Sequence, residues 1–345
     1  MLAPACHQSF DVLEASQIGE ARRAAVRLAE HLGFDEVAAG RVALVATELA
    51  TNLVRHASHG RLLIAIIEEH GEPMVEIVSL DAGPGMANVA TNMVDGYSTG
   101  GTSGSGLGAV RRLATEFDIF SLPPSGTVVM ARVAAKGSVG PTLDGGRHLR
   151  RFVAGAVALP APGEVVCGDA WGAVQDGGRA GVVIADGLGH GPFAMEASKA
   201  AMAVFDTDPL GTPSVVVGRM HPPLRMTRGA AVLMATLDGD SRTISFSGAG
   251  NIAGRLISGL ADRSIASQHG TVGVQIPRLQ DTQCEWPAHA VFVLHSDGLT
   301  TRWSLGPALG ILQHHPTVIA AWLIKDHCRG RDDATVVVLK WQGAS

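Results

Sequence analysis

Glu48, Asn52 and His56 follow one another at intervals of four, so on a helix they share one face beside an apolar stripe of Val45, Leu49 and Leu53. A carboxylate and a carboxamide thus stand on one strip. Asp81-Ala-Gly-Pro-Gly85 comes directly after an apolar run ending at Leu80, which brings a carboxylate out of a sheet next to Gly83 and Gly85, where a ligand can approach the backbone. The run Gly100-Gly-Thr-Ser-Gly-Ser-Gly-Leu-Gly108 then leads into a helix expected over Ala109–Glu116. Such a loop offers backbone N–H groups and a helix N-terminus to phosphates.

A second set of residues lies further along. Gly168-Asp169, Asp186-Gly187, Asp297-Gly298 and Asp332-Asp333 each follow or abut an apolar run. Carboxylates at the ends of separate strands can converge on one edge of a sandwich, and such a cluster is costly unless divalent cations neutralise it. Asp-Gly is also an ordinary turn, but four such sites in one setting tilt the reading toward hard cations. Cys6, Cys167, Cys284 and Cys328 lie far apart with no CxxC pair, which argues against a zinc ribbon and a disulfide framework. They read as buried or incidental thiols. The nearest histidine groupings, His56/His59 and His314/His315, lack the HExxH arrangement of a zinc protease.

The elements that must position these residues can be read from periodicity. Glu20–Leu32 and Glu36–His56 carry apolar residues at three and four spacing, which predicts two amphipathic helices with a turn at Gly33. Strands are expected at Arg61–Glu68, Met74–Leu80, Phe117–Ser121 and Thr127–Val133, giving a helix layer on a mixed sheet. Between Ala134 and Arg147 the periodicity disappears and Gly, Pro and Ser collect, as in an exposed connector. This places one domain at 1–135, a linker at 136–147 and a second domain at 148–345. Short apolar runs recur downstream from Phe152–Leu159 to Ala334–Lys340, with helical patterns at Ala194–Val204 and near Val318–Cys328, so the second domain reads as α+β with a two-sheet core.

Length and charge agree with this division. The chain has 345 residues, 46% of them apolar, enough for two separate cores. Its net charge of −5 leaves no chain-wide basic field for nucleic acid or anionic lipid. The longest apolar runs fall far short of the roughly 20 residues needed to span a bilayer. No nucleic-acid or membrane partner and a cytoplasmic location are therefore expected.

ELATNLVRH at 48–56, DAGPGM at 81–86, GSGLG at 104–108 and SGT at 125–127 resemble, in this order, the N, G1, G2 and terminal boxes of the GHKL (HATPase) superfamily. Within it, DGYSTGGTSGSGLGAVRRLATEFDIFS is similar to the switch kinases of the RsbT type, and more loosely to anti-sigma kinases such as RsbW. The resemblance implies a Bergerat-type α/β sandwich binding ATP and Mg²⁺. In it Asp81 would accept from the adenine amino group with Thr127 nearby, and Asn52 would hold the Mg²⁺. Gly83, Gly85, Gly104, Gly106, Leu107 and Gly108 would surround the nucleotide, and Glu48 would act as general base on a Ser or Thr hydroxyl. His56 would pack or cap. A histidine sensor kinase needs an upstream phosphoacceptor hairpin, for which the 35 residues before Glu36 leave too little room. Gyrase-like and chaperone ATPases need a transducer domain with a Lys aimed at the γ-phosphate, and none is evident before the linker.

PAPGEVVCGDAWGA, ADGLGHG, TRGAAVLMATLD, SGAGNIAG, HSDGL and RDDATVVVLK resemble, in order, the metal-dependent Ser/Thr phosphatases of the PPM superfamily, in the branch of SpoIIE and RsbX. This implies an α-β-β-α sandwich with two Mn²⁺ or Mg²⁺ ions held by Asp169, Asp186, the Gly187 carbonyl, Asp297 and Asp332. A water acidified by the two ions would attack phosphorus in line. Of the pair Asp332 and Asp333 the first is favoured as ligand. His190 would either protonate the leaving hydroxyl or shape a Gly-His-Gly turn. Asn251 stands where the wider SpoIIE group often has His. The segment from Pro192 to Pro223 reads as short for two flanking helices.

Together the two resemblances imply a dual regulator, a kinase fused to a phosphatase. Its expected partners are STAS-domain phosphoproteins of RsbS/RsbR or anti-anti-sigma type in a stressosome or partner-switching pathway, with a downstream phosphatase or sigma-factor regulator beyond them. The alternative makes the ATP-bound amino-terminal domain a binding or sensor module without catalysis of its own, regulating the phosphatase. Glu48 is the residue that separates the two.

Overall fold

Asp35 opens the second long helix, its carboxylate accepting from the Ala38 N–H at 2.7 Å, and Gly33, at φ +71°, closes the helix before it. These signals bound α1 (Ala15–His31) and α2 (Glu36–His56); α2 falls where the apolar spacing predicts, and α1 begins five residues before the expected Glu20. That spacing buries Ala21, Ala25 and Ala29 of α1 with Val42, Val45, Leu49 and Leu53 of α2. The computed structural model describes residues 6–69, 71–93, 106–135, 152–287 and 289–341. They divide into two compact units: His7–Leu143 with Gln313–Lys325, and Asp144–Leu312 with Met1–Cys6 and Asp326–Ser345. The expected linker at 136–147 lies outside the described residues.

In the first unit β1 (Gln8–Asp11), β2 (Arg61–Glu69), β3 (Glu72–Asp81), β4 (Glu116–Leu122) and β5 (Gly126–Ala134) form one sheet in the order β1-β2-β3-β5-β4. The sequence predicts a mixed sheet, and this is corrected: every pairing is antiparallel, because β2–β3 and β4–β5 are hairpins and β3 also runs opposite to β5. A short α3 (Val89–Asn92) follows β3, and α4 (Gly106–Leu113) precedes β4. The helix expected over Ala109–Glu116 thus sits three residues earlier. Its downstream end is displaced because Thr115 N–H donates to Arg132 O and Glu116 already pairs with Arg132 in the sheet.

Alternation along the strands sends Leu62, Ile64, Val75, Ile77, Val129 and Ala131 toward α1 and α2. Leu63, Glu76, Val78, Met130 and Arg132 occupy the opposite face and are also buried. The helix α2 is long and apolar enough to cross a membrane by length and composition, and here it is a core helix of this unit.

The second unit holds two five-stranded sheets. β6 (Phe152–Leu159), β7 (Asp169–Asp176), β8 (Arg179–Gly187), β9 (Ala230–Asp238), β10 (Thr243–Ala249), β11 (Ala253–Ile257), β12 (Asp262–Ala266), β13 (Thr282–Glu285), β14 (Val291–His295) and β15 (Ala334–Trp341) pair as β13-β10-β9-β8-β7 and β12-β11-β14-β15-β6. Trp171, Ile184, Leu233, Leu256, Phe292 and Val337 form the core joining the two sheets, as the two-sheet reading expects. The segment Pro192–Pro223, read as short for two flanking helices, holds α5 (Pro192–Phe205) and all but the last residue of α6 (Pro213–Leu224). Pro192 and Pro213 start them at the first turn, where a missing N–H costs nothing, and Pro222 and Pro223 fall in the last turn of α6. Ala197, Phe205, Val217 and Met220 pack them on Val183, Val232 and Met234 of the first sheet. The last helix, α7 (Pro316–His327), lies between β14 and β15 in sequence, yet its residues up to Lys325 belong to the first unit.

Candidate active sites

The first site is assembled at the ends of α2, β3 and β5. Asp81, the last residue of β3, accepts from the Gly83 N–H through Oδ1 at 2.7 Å. A Cβ on Gly83 would lie 2.8 Å from that same oxygen and 2.9 Å from the His56 carbonyl, so only glycine lets the turn fold back this closely. Gly85 takes φ +68° against the Leu122 backbone. Thr127 is the register partner of Asp81, buried, with its Oγ1 2.9 Å from Ser121 Oγ, and Ser121 Oγ also accepts from the Met86 N–H at 2.7 Å.

Asp81, Gly83, Gly85 and Thr127 are therefore brought together. Ser121, which joins both sides of this turn, is the last residue of the DGYSTGGTSGSGLGAVRRLATEFDIFS run, but nothing in its local pattern assigned it a role. Burial raises the Asp81 carboxyl above its ordinary range, while the Gly83 and Thr127 amides and the charges of Lys325 and His56 restrain that rise. On α2, Asn52 Nδ2 is buried without a hydrogen-bond partner, and Glu48 stands one turn before it, half-buried. Such an orphaned amide fits a polar ligand at this place. Gly106, Leu107 and Gly108, expected in the loop, form the first turn of α4, which packs against α2. Gly104 lies outside the described residues.

The second site stands on opposed carboxylates. Asp169 at the start of β7 and Asp186 near the end of β8 are direct register partners, an arrangement that like charges disfavour. Asp169 is buried, and neither of its oxygens makes a hydrogen bond, although the Ser296 and Thr335 hydroxyls lie near enough to temper its charge. Burial, reinforced by Asp333 and Asp297, pushes its carboxyl up to about 7. Burial together with Asp169, Asp297 and Asp332 pushes Asp186 up to about 9.

Asp297, just after β14, accepts from Asn251 Nδ2 at 2.7 Å, which gives the unusual Asn a defined role. Asp333 is buried, with Oδ1 accepting from the Ala161 N–H at 2.8 Å and Oδ2 left without a partner. A Cβ on Gly168 would lie 2.5 Å from that Oδ2. Asp333 therefore ties down the loop that carries Asp169, and the half-exposed Asp332 is the more open of the pair. Gly187 is pressed against α5, where a Cβ would meet the Ala194 carbonyl at 2.0 Å.

Among the described residues no three His, Cys, Asp or Glu side chains form a closed single-ion cluster. What the site offers is an all-oxygen donor set whose carboxylates repel one another, with buried oxygens lacking partners. That combination fits hard divalent cations such as Mg²⁺ or Mn²⁺. His190 Nδ1 lies 2.6 Å from Glu164 Oε1, so the Gly-His-Gly turn is tied to the loop before Asp169. Hydrogen bonding with Cys6, and then burial, push the Cys167 thiol up, away from a nucleophilic thiolate. All four cysteines are free.

Comparison with known proteins gives two family matches. Residues 12–133 match the family described as Histidine kinase-like ATPase domain, and residues 176–342 match Stage II sporulation protein E (SpoIIE). The serine/threonine-protein kinase RsbT of Bacillus subtilis (strain 168) is 34% identical over 122 residues, covering 35% of this chain and 87% of RsbT. A solved structure described as "The bacterial stressosome: a modular system that has been adapted to control secondary messenger signaling" aligns at TM-score 0.51 and 24% identity, over 55% of this chain and 100% of its own. At that identity the likeness concerns fold alone.

Proposed function

Since the chain belongs to the RsbT family of serine/threonine-protein kinases through its amino-terminal domain and continues into a SpoIIE-type phosphatase domain, we propose that it both adds and removes phosphate on Ser or Thr residues of partner proteins. The observation that carries the phosphatase half is Asp169, buried with both oxygens free of hydrogen bonds directly opposite Asp186. Two carboxylates so placed are costly in an empty protein and useful around cations.

In the amino-terminal site Asp81 and Thr127 take the adenine end of ATP, with Gly83 and Gly85 allowing the base to approach. Asn52 would supply its amide oxygen to Mg²⁺, Gly106, Leu107 and Gly108 in the first turn of α4 would face the phosphates, and Gly104 is proposed to wrap them as well. Glu48 accepts the proton of a Ser or Thr hydroxyl whose oxygen attacks the γ-phosphorus. The bond from that phosphorus to the bridging oxygen breaks, and ADP leaves.

In the carboxy-terminal site Asp169, Asp186, the Gly187 carbonyl, Asp297 and Asp332 would hold two divalent ions, which when bound would supply Lewis acidity and lower the pKa of a water. The chain's own residues orient this set. Asn251 fixes Asp297, Asp333 fixes the 161–168 loop, and the His190–Glu164 pair shapes the mouth. Hydrolysis breaks the phosphorus–oxygen bond of phosphoserine or phosphothreonine, and the released side-chain oxygen takes a proton. The partners remain those the switch-kinase resemblance implies, STAS-domain phosphoproteins in the cytoplasm.

The test uses the full chain, ATP with Mg²⁺, and a STAS protein encoded beside its gene. Glu48→Gln is expected to keep ATP affinity and lose transfer, and Asp186→Ala to keep transfer and lose Mn²⁺-dependent dephosphorylation. Transfer at the wild-type rate by Glu48→Gln would remove the general-base role. Dephosphorylation in excess chelator would remove the metal mechanism.

A further inference from the structure

The strand face opposite α1 and α2 carries an anchored helix from far along the chain. At its start, Asp118 Oδ2 accepts from the His315 N–H at 2.6 Å, and Oδ1 lies 2.9 Å from His314 Nδ1. In its first turn Thr317 Oγ1 accepts from Arg132 at 3.0 Å and donates to Glu76 at 3.4 Å. Further on, Trp322 meets Phe120 edge to face at 5.0 Å between ring centroids. These contacts fix where the far end of α7 falls.

There Lys325 donates from Nζ to the Ser125 carbonyl at 2.8 Å, with its ammonium held 3.9 Å from the Trp322 ring centroid. Ser125 begins the Ser-Gly-Thr segment that ends in Thr127, the register partner of Asp81. Gly126 is pressed onto the Asp81 backbone so closely that a Cβ would lie 1.9 Å from the Asp81 carbonyl oxygen. The turn is closed from its other side by Ser125 N–H donating to Leu122 O at 2.6 Å. A displacement at Ser125 is therefore passed directly to Thr127 and Asp81.

We infer that Lys325, from the second half of the chain, is a positioning residue of the nucleotide site, holding the Ser125–Thr127 segment against Asp81 and placing a cation toward its carboxylate. The inference rests on the nucleotide reading of that site and deepens it. Two titratable groups act on Asp81 from the elements around it, His56 at the end of α2 and Lys325 on α7. Both favour the ionised carboxylate that adenine recognition needs, against the burial that disfavours it. Loss of Lys325 removes one of them and loosens the turn together.

The experiment measures ATP affinity of the full chain by calorimetry across a range of pH, for wild type, Lys325→Gln and Lys325→Arg, with thermal melts to show that each variant is folded. Lys325→Gln is expected to weaken ATP by roughly three- to tenfold at neutral pH, the size of one partly screened charge contact. Its loss of affinity on acidification should begin at higher pH than in wild type, because Asp81 takes up its proton sooner. Lys325→Arg should retain most of the affinity and the wild-type pH profile. Wild-type affinity and profile in Lys325→Gln would overturn the inference while leaving the nucleotide site in place. An equal loss in both variants with no shift of profile would reduce Lys325 to a packing residue and also overturn it. No ATP binding by the wild-type chain would overturn the nucleotide reading, and this inference with it.

Discussion

Glu76 shows how much one buried side chain can carry. It is 1% exposed, and burial alone would raise its carboxyl, but the Arg132 guanidinium at 2.7 Å and His7 at 3.1 Å hold it down to about 2, from an ordinary 4.5. The difference corresponds to on the order of 3 kcal/mol favouring the folded state. Because the folded value is depressed, this stabilisation is complete above about pH 4.5 and is lost as pH falls toward about 2. Glu76→Gln should cost roughly 3 kcal/mol near neutral pH, since Arg132 is left in part unpaired, and should flatten the acid limb of stability. Chemical denaturation across that pH range checks it. A wild-type acid limb in the variant would show that Glu76 is not the titrating group.

At the scale of elements, the carboxylates proposed to hold the metal ions depend on close backbone approach. Gly168 leaves no space for a side chain, with Asp333 Oδ2 at 2.5 Å and the Ala194 Cβ at 2.7 Å from where its Cβ would stand. Both neighbours are fixed, Asp333 by Ala161 and Ala194 within α5. Gly168→Ala is therefore expected to destabilise the second unit by about 1–3 kcal/mol, the range of overpacking, and to weaken Mn²⁺ binding through the adjoining Asp169. Titration calorimetry with Mn²⁺ and a denaturant series test this, and unchanged values in both would show that the β6–β7 loop yields freely. The elements themselves were mostly legible. Period-two and period-three-to-four patterns gave α2 and the long strands to within a few residues, and α1 except for its first turn, Ala15–Gly19. β12 and β13, short and mostly exposed, carry no alternation that a pattern could register. α6 was hidden by its own prolines: Pro213 opens it where a helix tolerates proline, but Pro222 and Pro223 fall inside its last turn, where a sequence pattern reads a break.

At the scale of the whole molecule, the compact units do not follow a single cut in the chain. Leu63, Val78 and Met130 on the β-sheet of the first unit are fully buried, on the face that takes α7 from residues 316–327. A fragment ending at Leu143 lacks that helix and would expose this face to water. It is expected to melt earlier than the same fragment supplied with a peptide of residues 313–327, as followed by circular dichroism. Equal melting temperatures with and without the peptide would show that the helix is no part of this core. In sequence α7 lies between Asp297 and Asp332, so the segment that anchors Lys325 near the proposed nucleotide site is continuous with two of the carboxylates proposed to hold metal.

Both sets of proposed site residues were singled out by the order and spacing of short motifs. Glu48 and Asn52 share a helix face because 3.6 residues make a turn, and Asp81, Asp169 and Asp186 stand at strand ends because apolar runs stop there. These are local consequences of backbone geometry, so a single sequence contains them. Asn251 on Asp297, Asp333 on Ala161 and Lys325 on Ser125 are contacts across 46, 172 and 200 positions, and no local pattern specifies them. The residence of α7 in the first unit was hidden for a related reason. Pro316–Ile324 is buried at every position, so it has no polar face whose period would say which sheet the helix joins. Packing of the folded chain decided that, through Thr317, Trp322 and Lys325.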